Sequence, residues 1–454
     1  MQRIKKENAP WPSPMAVALM WALACSAVLA ESSAPTAPTA PTAPRAALTA
    51  AQPLTLPALF ERAWARQPEA HSSALRREAA QAARNAAASW TAEAVALEMQ
   101  AKTDRPGSNQ GSREVEVGLA LPLWLPGERV RKAALGDAEI RAVESRRLAA
   151  QLKLAASVRE AWWAFQRAQG EWGLAQDRLL SAQRLAADVA RRFKAGDMSR
   201  ADQHQADGAV AQAQAAVAEA TGARDVAQAA LTGWTGGTFD SADTAHTTNG
   251  NGSGPGALVD STTAEPLAET MPGAALSADH PAVADWLDQA DVARRAADLA
   301  AVQTRANPEL TVAATRGREQ SGERYQQTFT VGVRVPLGGG ERAHAKEAAA
   351  RADALEAEVR ANLERDLLLA DLNAANARVK ATAAQRDAVA RHAQLARQTQ
   401  GFIDKAFRLG EADWPTRLRV ELEAAQAERQ LARARIDAAA AISTLRQAMG
   451  LLPQ

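Results

Sequence analysis

Along most of the chain the apolar side chains are small and recur at helical spacing, but in two places the period changes to two. In residues 94–102, Val95, Leu97 and Met99 point one way while Glu98 and Gln100 point the other. A loop rich in Pro, Gly, Asn and Ser follows at 104–112. Beyond it Val115, Val117, Leu119 and Leu121 share one face, and Glu114, Glu116, Gly118 and Ala120 share the other. Two such segments around a polar loop predict a β-hairpin. The same pattern returns near the other end. Leu310, Val312 and Ala314 alternate with Thr311 and Thr315, residues 317–323 read as a loop, and Phe329, Val331, Val333 and Val335 alternate with Thr328, Thr330 and Arg334.

The two hairpins belong to a larger repeat. Each closes on a Pro-Leu pair (Pro122-Leu123, Pro336-Leu337), followed by a short turn and a Gly-Glu-Arg triplet (Gly127-Glu128-Arg129, Gly340-Glu341-Arg342). The Pro-Leu pairs lie 214 residues apart and the triplets 213. Gln67-Pro68 and His280-Pro281 are also 213 apart, and each precedes an Ala-rich helical run. The segments 193–196 and 407–410, and 231–236 and 445–450, are 214 apart. Landmarks at one offset, several of them outside Ala-rich sequence, identify an internal duplication.

After each hairpin comes a proline-free run, 127–195 and 340–409, of about 70 residues. At 1.5 Å per residue each predicts a helix about 100 Å long. Both runs end at Phe-x-x-Gly, where Gly196 and Gly410 suit a left-handed C-cap. Return helices are expected over 199–231 and 415–449, with Ser199 as an N-cap and Pro415 in a first turn. Upstream, Leu56, Leu59, Phe60 and Ala63 predict a short helix over 54–66, and a second runs over 68–89 with Pro68 in its first turn.

Composition fits this picture. Aromatic residues make up only 4% of the chain, and alanine dominates the apolar count. That suits long helices packed closely side by side rather than a bulky globular core. Net charge is +1, so nothing recommends nucleic acid as a partner. The single cysteine, Cys25, excludes an internal disulfide. Arg3, Lys5 and Lys6, an apolar run over 15–28 and small residues up to Ala30 read as an export signal. Three readings stand there: simple cleavage after Ala30, lipidation of Cys25, or an uncleaved anchor. The repeated Pro-Thr-Ala sequence that follows reads as an extended linker. The chain thus divides into an export signal at 1–30, a Pro/Ala/Thr-rich linker at 31–53, a first repeat at 54–234, a low-complexity linker at 235–277 and a second repeat at 278–454.

Enzymatic chemistry finds no support. Gly338-Gly339-Gly340 follows a strand and precedes a helix, but it lacks the Lys-Ser/Thr of a nucleotide loop. There is no His-x-x-x-His pair and no Ser elbow. The six histidines are scattered, so no metal site is assigned. Four strands of about nine residues are long enough to cross a bilayer when tilted. Four cannot close a barrel, and open edges are not tolerated in lipid, so strands from other copies would be required.

A duplicated helix–hairpin–long helix–tip–helix unit behind an export signal resembles the TolC family of outer-membrane efflux ducts, over nearly all of the mature chain. The resemblance rests on the Pro-Leu–turn–Gly-Glu-Arg entry into each long helix and on the Phe-x-x-Gly tips. It implies a mainly α fold with a small β part. Three protomers would form a twelve-stranded outer-membrane β-barrel continuous with a periplasmic α-helical barrel. The implied activity is passive conduction, with no catalysis and no cofactor. Implied partners are two further copies in a homotrimer, a periplasmic membrane-fusion adaptor, an inner-membrane pump of the RND type and outer-membrane lipid.

By the same resemblance, Arg192, Phe193, Gly196, Ser199, Phe407, Gly410, Glu411 and Pro415 form periplasmic tips that meet the adaptor, with Phe193 and Phe407 packing the helix ends together. An acidic residue six positions past the tip glycine would face the pore. Asp202 fits in the first repeat, while the second has Thr416, with Arg419 nearby. Pro122, Gly127, Pro336 and Gly340 mark the barrel-to-helix turns. The second tip, Phe407-Arg408-Leu409-Gly410-Glu411 with Leu418-Arg419, resembles the heavy-metal, CzcC-like branch. A multidrug duct, a type I secretion duct and a periplasmic coiled-coil adaptor or scaffold remain the alternatives.

Overall fold

The computed structural model describes residues 55–107, 110–236, 265–267 and 279–454. The export signal, Cys25, the linker at 31–53 and most of the linker at 235–277 lie outside the described residues. Eleven elements follow in order: α1 (Leu56–Trp64), α2 (Pro68–Ala86), β1 (Ala96–Thr103), β2 (Arg113–Pro122), α3 (Glu128–Ala195), α4 (Arg200–Thr235), α5 (Pro281–Val302), β3 (Glu309–Arg318), β4 (Gln326–Arg334), α6 (Gly340–Leu409) and α7 (Trp414–Ala448). The units α2–β1–β2–α3–α4 and α5–β3–β4–α6–α7 are the two repeats.

The helices take the lengths the proline-free runs allow. α3 has 68 residues and α6 has 70, each ending on a left-handed glycine, Gly196 (φ 87°) and Gly410 (φ 80°). α4 packs back along α3, and α7 along α6. α5 lies against both long helices, and α7 also touches α3, so the repeats are sewn together side by side.

Alanine lines most of these contacts, as the composition predicts, but the bulky side chains are not spread evenly. Trp162, Trp163 and Phe165 of α3 gather with Leu56, Leu59 and Phe60 of α1, Leu231 of α4 and Ile436 of α7 into one knot. Burying each such side chain is worth about 1.5–3 kcal/mol. The scarce aromatics therefore clamp the middle of the bundle, where α1 crosses it.

The two hairpins form a single antiparallel sheet in the order β1-β2-β3-β4. β2 pairs with β3 from Arg113↔Arg318 to Pro122↔Glu309, which joins one repeat to the other. β3 runs two residues further than the sequence pattern predicts, taking in Gly317 and Arg318 because β2 offers them partners. β1 and β4 are the outer strands, each paired on one side.

Candidate functional site

Two regions bring chemistry together: the tips of the long helix pairs and the sheet.

At the tips, local sequence sets the caps and long-range contacts set the lock. Ser199 caps α4. Its hydroxyl accepts from the Asp202 backbone N–H, while the Asp202 carboxylate accepts from the Ser199 N–H (3.0 Å) and hydroxyl (2.7 Å). Asp202, expected to face a pore, is thus engaged in its own helix cap. The second tip closes no such box. There hydrogen bonding with Thr416 holds the exposed Asp413 carboxyl below its usual range. Arg419 is exposed and, with Gln205, Pro415 and Leu418, lines a cavity of about 470 Å³ beside the tip.

Phe407 is buried between the tips against Leu185, Val189, Ala206 and Trp414. Phe193 is 36% exposed and does not join it. Trp414, 4% exposed, fills that place. Two guanidiniums, Arg192 from the first tip and Arg417 from the second, each lie 4.6 Å from the centre of the Phe407 ring. Arg417 pairs with Asp404 at 2.9 Å and reaches Asp188 of the first tip at 4.0 Å, and Asp188 also pairs with Arg192 at 3.4 Å. Burial pushes the nearby Glu421 carboxyl up. Arg417 opposes this and Asp404 adds to it. Gly196, Ser199, Gly410, Glu411 and Pro415 stay exposed around the lock.

Sequence reading missed Asp188, Asp404 and Arg417. The spacing that could have flagged the two acids is their position four residues before Arg192 and Arg408. Each cation–π contact is worth about 0.5–2 kcal/mol, and the partly exposed ion pairs about 1 kcal/mol or less. The lock joining the tips is therefore a matter of a few kcal/mol.

The sheet has two unlike faces. On one, Leu97, Met99, Val115, Val117, Leu119, Val312, Phe329, Val331 and Val333 are all large, apolar and exposed. Register places them side by side: Leu97↔Leu119, Val117↔Ala314, Leu119↔Val312 and Val312↔Val331. The other face carries Glu98, Gln100, Glu114, Glu116, Thr311, Thr315, Thr328 and Thr330. Along β2 the residues of this polar face are the less exposed ones, Gly118 and Ala120 being buried. No helix among the described residues is long and apolar enough to cross a membrane.

Between sheet and bundle, the first Gly-Glu-Arg triplet acts as a bracket. Glu128 is 3% exposed and accepts from the Leu125 backbone N–H (3.0 Å), Gln303 (2.8 Å) and Asn307 (2.9 Å). Its counterpart Glu341 is exposed. Pro122 ends β2 opposite Glu309, and Pro336 and Gly340 line a cavity of about 460 Å³ with Leu125 and Pro126. Gly127 caps α3 with φ 80°. In the second repeat the left-handed cap is Gly339 (φ 104°) and not Gly340, which is already helical. The one-residue difference in offset between the copies is absorbed there.

A further cavity, of about 1050 Å³, lies elsewhere, lined by Arg146, His280, Asp285, Asp371 and Arg378 among others. No group of three metal-ligating side chains occurs among the described residues.

Residues 59–237 match the family model for outer membrane efflux proteins. No curated protein was found to match the chain. Solved structures do. The outer membrane protein VceC of Vibrio cholerae superposes with a TM-score of 0.66 at 17% identity, covering 88% of this chain and 97% of that one. CusC, studied for folding and transmembrane channel formation, gives 0.69 at 15%, covering 87% and 92%. The open state of the Neisseria gonorrhoeae MtrE outer membrane channel gives 0.65 at 16%, covering 87% and 89%.

Proposed function

We propose, from the match of residues 59–237 to the family model for outer membrane efflux proteins, that the whole chain is the outer-membrane exit duct of a tripartite efflux system. The observation that carries this is the sheet, with one exposed apolar face and one polar face, set on the ends of two helices of about 100 Å. Three copies would close the free edges of β1 and β4 into a twelve-stranded barrel with its polar face around a water-filled lumen. The helices would continue that lumen across the periplasm, where an adaptor and an inner-membrane pump of the RND type load it. The work is conduction. The pump supplies the energy and the duct makes no bonds.

The tips are the entrance. The exposed ring of Phe193, Gly196, Ser199, Gly410, Glu411 and Pro415 meets the adaptor, and Asp202, Thr416 and Arg419 stand at the pore. The lock of Arg192, Phe407 and Arg417 holds the two helix pairs together at rest. About 5.5 kcal/mol of differential binding moves a two-state equilibrium from 1:99 to 99:1, so an adaptor of ordinary affinity can open a lock of a few kcal/mol. Heavy-metal cations are the proposed cargo, supported by the Phe-Arg-Leu-Gly-Glu second tip and its Leu-Arg continuation.

The test is growth of a deletion strain, with and without a plasmid copy, across divalent metals, dyes and antibiotics. Sensitivity to metals that the plasmid rescues supports the cargo. Sensitivity to apolar drugs alone refutes it and leaves a multidrug duct. Recovery of the protein as a soluble periplasmic species instead of in outer-membrane fractions would refute the duct itself.

A further inference from the structure

The apolar face of the sheet changes character at its hairpin end. Its last two rows carry Arg113 on β2 and Arg316 and Arg318 on β3. Arg113 stands directly opposite Arg318, and Arg316 is opposite Val115, one row nearer the bundle. Like charges directly opposite each other across a strand pair are destabilising. Here the arrangement is held in place. The Tyr325 ring lies 5.1 Å from the Arg316 guanidinium and 5.2 Å from that of Arg318, and Arg318 also donates to the Gly111 carbonyl at 3.2 Å.

The opposite face behaves differently. There Lys102 pairs with Glu114 at 3.9 Å and Arg334 with Glu309 at 3.6 Å. Among the described residues the three arginines of the apolar face carry no ion pair. So the basic residues that share a face with carboxylates are neutralised within the chain. Those that share a face with Leu, Val and Phe are left with open guanidinium donors. Arg113 and Arg318 sit two residues, about 7 Å, beyond the last apolar residue of β2.

We propose that Arg113, Arg316 and Arg318 form a binding site for the phosphate groups of lipid headgroups in the outer leaflet. This rests on the outer-membrane reading above. Guanidinium is the right chemistry, because its planar fork meets phosphate oxygens bidentately and a lysine would not. The position selects lipid phosphate over free phosphate. The cluster is continuous with the apolar face, so an anion carried on acyl chains brings its own anchor to the rows below.

The test uses the purified full-length protein in phosphatidylcholine nanodiscs, titrated with lipid A bearing two phosphates and with the same glycolipid dephosphorylated. The wild type is expected to bind the phosphorylated form at least tenfold more tightly. The R113Q/R316Q/R318Q variant should lose that preference. A preference absent from the wild type, or retained by the variant, overturns the assignment. Loss of the preference in 10 mM inorganic phosphate makes the cluster a free-anion site and overturns the lipid source. Flotation on phosphatidylcholine vesicles without lipid A separates the two readings. Wild type and variant should both float. Failure of both sinks the outer-membrane reading, while flotation of both with unchanged lipid preference sinks only the arginine site.

Discussion

Glu265→Ala should loosen the centre of the bundle more than any single surface change. Glu265 belongs to the stretch between the repeats, yet its side chain is 1% exposed. Arg159 of α3 donates to its carboxylate through Nε (3.0 Å) and Nη2 (2.7 Å), and Arg446 of α7 approaches at 3.4 Å. Both arginine side chains are 4% exposed. The remaining donors are engaged as well. Arg159 reaches Gln447 (2.5 Å) and the Leu451 carbonyl (3.1 Å), and Arg446 reaches the Pro266 carbonyl (2.9 Å) and Gln454 (2.7 Å). Removing the carboxylate leaves two buried cations facing one another. Breaking one partner out of a buried ion pair costs about 3–5 kcal/mol. With an unfolding entropy of about 2.1 cal/mol/K per residue over roughly 400 residues, 4 kcal/mol lowers the melting midpoint by about 5 °C. The assay is thermal unfolding followed by circular dichroism at fixed protein and detergent concentration. Glu265→Gln keeps the shape and two acceptor or donor sites but loses the charge, so it should fall between the alanine variant and wild type. The triple change Glu265→Leu, Arg159→Met, Arg446→Met should recover most of the loss, since a buried triad replaced by apolar groups of similar volume is often neutral. A midpoint within about 1 °C of wild type for Glu265→Ala would refute the clamp.

Other changes test the tips and the bracket. Burial raises the Glu421 pKa in the folded state, while the unfolded chain loses its proton near the ordinary 4.5. Between those values the unfolded chain binds fewer protons, so this group's contribution to stability falls as pH rises. Glu421→Gln should therefore raise the melting midpoint at pH 7.5 and have no such effect at pH 4; an equal effect at both pH values would show that charge is not the cause. Glu128→Ala orphans donors on Leu125, Gln303 and Asn307 and should cost about 2–4 kcal/mol, seen as faster hydrogen exchange at the start of α3 and around residue 303. Gly410→Ala meets nothing within 4 Å, so only the left-handed backbone resists it, at about 1–2 kcal/mol in thermal unfolding. Arg417→Met removes one of the two cation–π contacts on Phe407 and both links to Asp188 and Asp404, and should raise single-channel conductance in planar bilayers; unchanged conductance would mean that the lock does not set the entrance.

What the sequence determined by itself is everything governed by neighbours within a few residues. Proline-free runs fixed the long helices to within a residue or two, because nothing inside them interrupts the hydrogen-bond ladder. Gly196 and Gly410 fixed the tips, because only glycine enters the left-handed cap without strain. Alternation at Val115, Val117, Leu119 and Leu121 fixed which face of β2 is apolar, and duplication fixed that this happens twice. Tertiary structure decided the rest, through partners far apart in the chain. Glu265 meets Arg159 across 106 residues, and Arg159 meets Gln447 across 288. A polar, Gly-rich stretch gives no local sign that one of its carboxylates will be buried. The merging of two hairpins through β2 and β3 and the filling of the Phe407 pocket by Trp414 rather than Phe193 are of the same kind. A side chain's type states what it can bond, and only the folded chain states which competing partner arrives first and at what burial.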